Sequence, residues 1–319
     1  MSADLTNPVF TNEEAALEHL EASRWPDGPY CPHCGSFNVH RMKGKTQAGM
    51  FLCNDCRDKF TARVGTVMGR SHVPVHKWLF AIHLLTSSKK GMSAHQLHRM
   101  LGVTYKTAWF MAHRIREAMR VEDGSVPPLG GEGQIVEADE TYIGKRADAG
   151  VRMSPHRKGR PYIKTGGGAH KIRVVALVER GGGVRSFHVP TANKEAVTKI
   201  VRENVARESR LHTDESRLYF GSAEHFVSHE TVVHTAREYA RGDVHTNSVE
   251  GYFSIFKRGM KGVYQHCKEK HLHRYLAEFD FRYNHRTALG VSDKERAAAA
   301  LKGIEGKRLT YRRPHPSLV

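Results

Sequence analysis

Nothing in the chain stays apolar for long enough to cross a bilayer. The most hydrophobic run, Trp78-Leu-Phe-Ala-Ile-His-Leu-Leu85, is eight residues long and contains His83, whereas a spanning helix needs about 20. The opening Met1-Ser-Ala-Asp-Leu-Thr-Asn7 lacks both the basic head and the apolar middle of a secretory leader. A cytoplasmic, nucleoid-associated location with reduced thiols is therefore expected. Cysteine is scarce, with five in 319 residues, as suits that compartment. Acidic residues are in deficit: 33 Asp and Glu face 50 Lys and Arg, for a formal charge of +17, and the pI is near 9.8. That balance favours a polyanionic partner. No internal repeat is present. The length is enough for at least one substantial core and for more than one domain.

Four of the five cysteines are concentrated in one short region. Cys31-Pro-His-Cys34 and Cys53-Asn-Asp-Cys56 are two CxxC knuckles with eighteen residues between them. Each knuckle offers two thiolates from a tight turn, and the pair completes a tetrahedron around one structural Zn²⁺. Strand-like stretches at Asn38–Met42, Met50–Leu52 and Phe60–Arg63 make residues 25–67 a zinc ribbon. His33 and His40 lie nearby, but four thiolates already fill the shell. Cys267 reads as an ordinary free cysteine.

A short amphipathic helix opens at Thr11 and occupies the residues before the ribbon, 1–24. After the ribbon, residues 72–121 read as three helices. Val75–Leu85 is the first. Ser93, with Gln96 in a capping box, opens the second, which Gly102 stops. Thr104 opens the third, Tyr105–Arg116. Helix, glycine-containing turn and helix is the helix-turn-helix pattern. At helical spacing Lys106, Thr107 and Arg114, with His113 beside them, face a DNA groove, while Ala108, Met111 and Ile115 pack inward.

Glu122-Asp-Gly-Ser-Val-Pro-Pro-Leu-Gly-Gly131 has linker composition and sets a boundary at 122–133. Beyond it the pattern turns to strands. Ile135–Tyr142 is one, and Ile172–Val178 and Val184–Val189 flank the turn Gly181-Gly-Gly183. Between them, Lys145–Lys171 carries eight Lys or Arg and little apolar content, so it reads as a mobile loop able to touch a DNA backbone. Asn193–Arg207 is helical, Arg210–Thr213 and Thr231–His234 are short strands, a helix opens near Asn247, and Lys270–Arg286 is the last helix. Three strands, helix, strand, helix, strand and closing helices is an α/β order with a mixed sheet, over 134–290. Residues 291–319 are read as a basic C-terminal tail, and the part after Leu301 is assigned no fold.

Within that sheet three separated acids carry the chemistry. Alternation puts Glu137 and Asp139 on one side of the first strand and Glu140 on the other, and it does not choose between the first two. Asp214 sits where a strand runs out and a helical stretch begins. Glu250 and Lys257 are two helical turns apart, so both leave one helix face, and Asn247 precedes Glu250 by one turn. Carboxylates on strand, strand end and helix can hold two Mg²⁺ ions, with Mn²⁺ as the alternative ion. A lysine beside them can position a phosphate.

The segments Val136-Glu-Ala-Asp-Glu-Thr-Tyr-Ile-Gly144, Thr213-Asp-Glu215, His245-Thr-Asn-Ser-Val-Glu250, Phe256-Lys-Arg-Gly259 and Arg282-Tyr-Asn-His-Arg286 resemble bacterial insertion-sequence transposases of the DDE type. The chain is similar in particular to the insertion-sequence fifteen-ninety-five group, which joins an N-terminal zinc ribbon to the catalytic domain. The resemblance covers nearly the whole chain. It implies an RNase H-like catalytic domain, Asp139, Asp214 and Glu250 as the metal-holding acids, and Lys257 beside them. Members of that group differ in using Asn or Glu as third ligand, and this chain has both. Glu250 is the expected ligand, since a carboxylate binds Mg²⁺ better, with Asn247 supporting it. The expected function is metal-dependent cleavage of element ends and strand transfer into target double-stranded DNA, by a homo-oligomer. The rival readings are a DNA-binding regulator without catalysis and an RNase H-like nuclease that cuts without joining.

Overall fold

In the computed structural model, which describes residues 5–44, 48–122, 124–146, 151–153, 161–163, 170–190 and 193–310, the first helix, α1 (Glu13–Arg24), is capped one residue later than expected. Asn12, not Thr11, accepts the Ala15 N–H on its side chain. The ribbon strands β1 (Val39–Arg41), β2 (Met50–Cys53) and β3 (Lys59–Thr61) pair antiparallel in the order β1-β2-β3. Phe51 and Phe60 stack on their inner face, with Trp25 edge-on to both.

Three helices follow: α2 (Val75–Ser87), α3 (Ala94–Leu101) and α4 (Tyr105–Met119). Ser93 and Thr104 cap α3 and α4 through the N–H groups of Gln96 and Thr107. Gly102 ends α3 in the left-handed conformation at φ +60°, where a side chain would be strained.

The chain then enters a second unit, Val121–Asn284. Its strands are β4 (Ile135–Ile143), β5 (Val151–Met153), β6 (Pro161–Ile163), β7 (Ile172–Glu179), β8 (Val184–Val189), β9 (Arg210–Asp214) and β10 (Ser228–Val232). Its helices are α5 (Lys194–Asn204), α6 (Asn247–Gly259) and α7 (Leu272–Asn284). Five strands form one sheet in the order β10-β9-β4-β7-β8. β4–β7 and β7–β8 are antiparallel, whereas β4–β9 and β9–β10 are parallel, so the sheet is mixed. β7 alternates between two cores: Val174, Ala176 and Val178 pack with α6 and α7, while Val175 and Leu177 pack with α5. Both faces are covered, which is why this strand reads as a nearly unbroken apolar run. α6 presents Val249, Tyr252, Phe253 and Phe256 to the sheet, a helical spacing of three and four.

Three expectations about this unit need revision. Lys145–Lys171 is not loop throughout: β5 and β6 pair antiparallel. Residues 147–150, 154–160 and 164–169, with half of its Lys and Arg, lie outside the described ones. Between β9 and β10 the chain makes two 3-10 turns, Arg217–Tyr219 and Ala223–His225, rather than a helix. The linker is also partly folded. Leu129 is buried, its N–H bonds Asn204 O, and its carbonyl accepts from Ala206 N–H.

After α7 the chain rejoins the first unit, which comprises residues 1–120 and 285–319. The segment read as a C-terminal tail contains a further helix, α8 (Asp293–Lys302), opened by a Ser292/Glu295 capping box. Residues 311–319 lie outside the described ones. α8 packs on α2 and α4, and it overturns part of the groove assignment. Lys106 is exposed and Thr107 half-buried, but Arg114 and His113 are buried. Arg114 donates to Gly69 O at 3.0 Å and Leu309 O at 3.2 Å. Helical spacing alone leaves one side of α4 open along its length, and the returning C-terminal segment closes that side beyond the second turn. Ala108, Met111 and Ile115 face inward as expected. Among the described residues no helix is long and apolar enough to cross a membrane.

Two glycines give opposite expectations. Gly130 has φ +85°, and a Cβ there would overlap Ser209 Oγ and press on Val136. Gly130→Ala should cost about 2 kcal/mol in urea unfolding. Gly251 lies inside α6, where an added Cβ would meet nothing within 4 Å, and Gly251→Ala should stabilise by about 0.5–1 kcal/mol in the same measurement.

Candidate catalytic and metal-binding sites

The ribbon's two knuckles are shaped by residues with positive φ, Gly35 (+78°) and Arg57 (+62°). They turn the four cysteines toward one point, with Sγ atoms all within 4.8 Å of one another. Across the knuckles, Cys31–Cys56 and Cys34–Cys53 are each 3.6 Å apart. A tetrahedron with Zn–S bonds of about 2.3 Å has edges of about 3.8 Å, so the thiols fit a structural Zn²⁺. The Cys56 backbone N–H, opposed by burial, draws the Cys53 thiol down to about 7, while burial and the neighbouring thiols push Cys56 up, so the crowded thiols do not all ionise without a cation. His33 and His40 are exposed and stand outside this group. Cys267 lies elsewhere, packed against the core beneath α6 and α7.

The acids meet at the carboxyl edge of the parallel strands. The β4–β9 register runs from Ile135↔Arg210 to Ala138↔Thr213, so Asp139 and Asp214 are the next residues on neighbouring strands. Asp139, Glu140 and Asp214 each bring a carboxylate oxygen within 4.8 Å of the others. Glu140, which alternation assigns to the opposite face, meets the turn after Asp214, where Ser216 Oγ donates to it at 3.0 Å. Asp214 itself accepts the Ser216 N–H at 3.0 Å. Burial first, then the charge of Asp214, pushes the Asp139 carboxyl up to about 7. Burial and Asp214 push Glu140 up as well, and burial raises Asp214. Three crowded carboxylates disfavoured in their charged forms are a donor set that a divalent cation would relieve.

The third expected acid stands beside this group rather than in it. Glu250, on the first turn of α6, is exposed and accepts from Thr246 Oγ1 at 3.0 Å. His234 Nε2 is 3.7 Å from it. Its charge still contributes to raising Asp139. Asn247 is exposed at the start of the helix, and Lys257 is half-buried two turns on.

Glu137, which spacing could not separate from Asp139, is fully buried and ion-paired with Arg180 at 2.8 Å, away from the acid group. Two neighbours of the site carried no sequence signal of their own. Glu140 adjoins Asp139 just past the last paired residue of β9, and that placement becomes visible only once the register is known. His234 is set beside Glu250 by Glu215, whose carboxylate accepts the His234 N–H at 2.7 Å and the Thr235 N–H at 3.0 Å.

Comparison with known proteins gives concordant results. Residues 128–284 match the family model described as ISXO2-like transposase domain, and residues 11–59 match the transposase zinc-ribbon domain. A curated relative from Halobacterium salinarum, described as an uncharacterized protein in transposable element ISH50, is 31% identical over 279 residues, covering 86% of this chain and 92% of that one. A solved structure, the Mos1 transposase paired-end complex with left transposon end, matches 66% of this chain and 77% of its own at 14% identity, with a TM-score of 0.23, too low to carry an argument about the fold.

Replacing Cys53 by Ser should reduce bound zinc from about one per chain to a small fraction of that, because three thiolates leave the tetrahedron open. Elemental analysis checks this; an unchanged zinc content would mean the four cysteines are not its ligands.

Proposed function

The chain belongs to the transposases that carry an ISXO2-like transposase domain behind a zinc ribbon, and from that membership we propose that it cleaves the ends of its mobile element and joins the freed 3′-hydroxyls to target DNA by metal-dependent phosphoryl transfer. The observation that carries this reading is the meeting of Asp139, Glu140 and Asp214 at the carboxyl edge of parallel strands, with Glu250 alongside. Ligand sites of open α/β sheets lie at that edge.

In this reading the domain is RNase H-like, and Asp139 and Asp214 would hold divalent cations, with Glu250 contributing from α6. Bound Mg²⁺ supplies a Lewis acid and an activated oxygen nucleophile for in-line displacement at phosphorus. The protein's own residues do the rest. Asp139 and Asp214, both half-buried, are held at fixed spacing on neighbouring strands. Asn247, on the exposed first turn of α6, supports Glu250. Lys257, two turns further along the same helix, makes no ion pair among the described residues, so its ammonium is available to a phosphate.

The first unit then recognises the element ends. Zn²⁺ fixes the ribbon, and α3–Gly102–α4 acts as the helix-turn-helix, with Lys106 and Thr107 at the exposed start of α4 reaching the DNA. Arg114 has no part in that contact, since its guanidinium is committed to backbone carbonyls. Holding two ends together calls for a homo-oligomer on double-stranded DNA.

Asp139→Asn should preserve end binding and reduce nicking of supercoiled donor DNA by at least about a hundredfold. A variant that still cuts at the wild-type rate overturns the assignment. Lys106→Ala should weaken end binding several-fold and lower the slope of log affinity against log salt by about one. An unchanged slope in a salt titration would remove Lys106 from the interface.

A further inference from the structure

A carboxylate shut away from solvent needs a partner for each oxygen, and Glu137 is supplied by five donors. Arg180 Nε and Nη2 donate to Oε1 at 2.9 and 2.8 Å, and Ser248 Oγ donates to the same oxygen at 3.0 Å. Oε2 accepts the Ser248 N–H at 2.7 Å and the Val249 N–H at 3.1 Å. Those two N–H groups belong to the first turn of α6, which has no intrahelical acceptors for them. An anion there also meets the positive end of the helix dipole.

The residue that would ordinarily do this is occupied elsewhere. Thr246 is the N-cap of α6, yet its side chain makes no cap bond. Its hydroxyl donates to Glu250 instead. Capping has passed to an acid on β4, and the local hydroxyl is left to orient an acid of the site. Arg180 extends the grip backward along the chain, donating to Asp243 O at 2.9 Å and His245 O at 3.2 Å. The segment leading into α6 and its first turn are thereby fastened to one point on the sheet.

That point lies two residues before Asp139 on the same strand face, a separation of about 7 Å along the chain. We propose that Glu137 is the positioning residue of this site: a strand-borne cap that sets the first turn of α6, and with it Glu250 and Asn247, against Asp139. One strand then carries a metal-holding acid and also docks the helix that bears another. Glutamine would fit the space but not the chemistry. It offers a single acceptor oxygen and turns an NH₂ toward converging donors. The inference rests on the reading of Asp139, Asp214 and Glu250 as metal-holding acids.

The test compares full-length wild-type protein with Glu137→Gln and Arg180→Lys. In zinc-loaded protein without added Mg²⁺ or Mn²⁺, amide hydrogen exchange of residues 247–252 in Glu137→Gln should accelerate about tenfold or more, with β7 and α7 unchanged. Mn²⁺ affinity by calorimetry should fall about tenfold to a hundredfold, and the Mg²⁺ concentration giving half-maximal donor cleavage should rise in step. End binding should stay at the wild-type level. Arg180→Lys, which keeps the charge but loses the fork, should show the same changes to a smaller degree, and it decides the matter if Glu137→Gln does not fold. Wild-type exchange and wild-type Mn²⁺ affinity in the variants overturn the proposal. So does acceleration spread evenly over the whole unit, which would make Glu137 a stability residue only. Wild-type protein whose Mn²⁺ binding is indifferent to Asp139→Asn overturns the underlying metal reading instead.

Discussion

Mutual repulsion among carboxylates is the constraint around which the transposase domain is arranged. Left to themselves, Asp139, Glu140 and Asp214 would separate or protonate. The fold prevents separation by placing two of them on adjacent parallel strands, where backbone hydrogen bonds fix their spacing. The third is held by Ser216 on the turn just beyond. Burial then raises their affinity for protons, and by the same electrostatics for a divalent cation. The sheet supplies the rigidity that such a site demands: its interior strand β7, next to β4, is enclosed by two separate cores and tolerates little displacement.

Against this edge, α6 is held in two ways. Its apolar face packs on the sheet through Val249, Tyr252, Phe253 and Phe256. The buried Glu137–Arg180 pair holds the N-terminal end. At the same time it keeps Glu137 itself out of the acid group, since its oxygens are already saturated. Two acids on one strand face thus take opposite roles because one is surrounded by donors and the other by acids.

The first unit shows a comparable division of labour. The ribbon is defined by four sulfurs and a small aromatic cluster, whereas the helices are enclosed by a segment from the far end of the chain. α8 and the residues after it pack on α2 and α4, and Arg24 ties the ribbon region to Glu305 at 3.0 Å. Arg114 serves this enclosure.

Much of this organisation could be read from local order in the sequence. The CxxC spacing determined the zinc knuckles, the caps at Ser93 and Thr104 with Gly102 between them determined α3 and α4, and the β-branched run at 172–178 determined the buried strand. These depend on neighbours a few residues away, where backbone geometry admits few solutions. The roles of Glu137, Glu140, His234 and Arg114 depended on partners about 20 to 200 residues distant, which periodicity does not encode. Strand alternation gave Glu137 and Asp139 the same face and stopped there. Only the tertiary structure, by bringing Arg180 and the start of α6 to one and Asp214 to the other, decided which acid is neutralised and which stands among other acids.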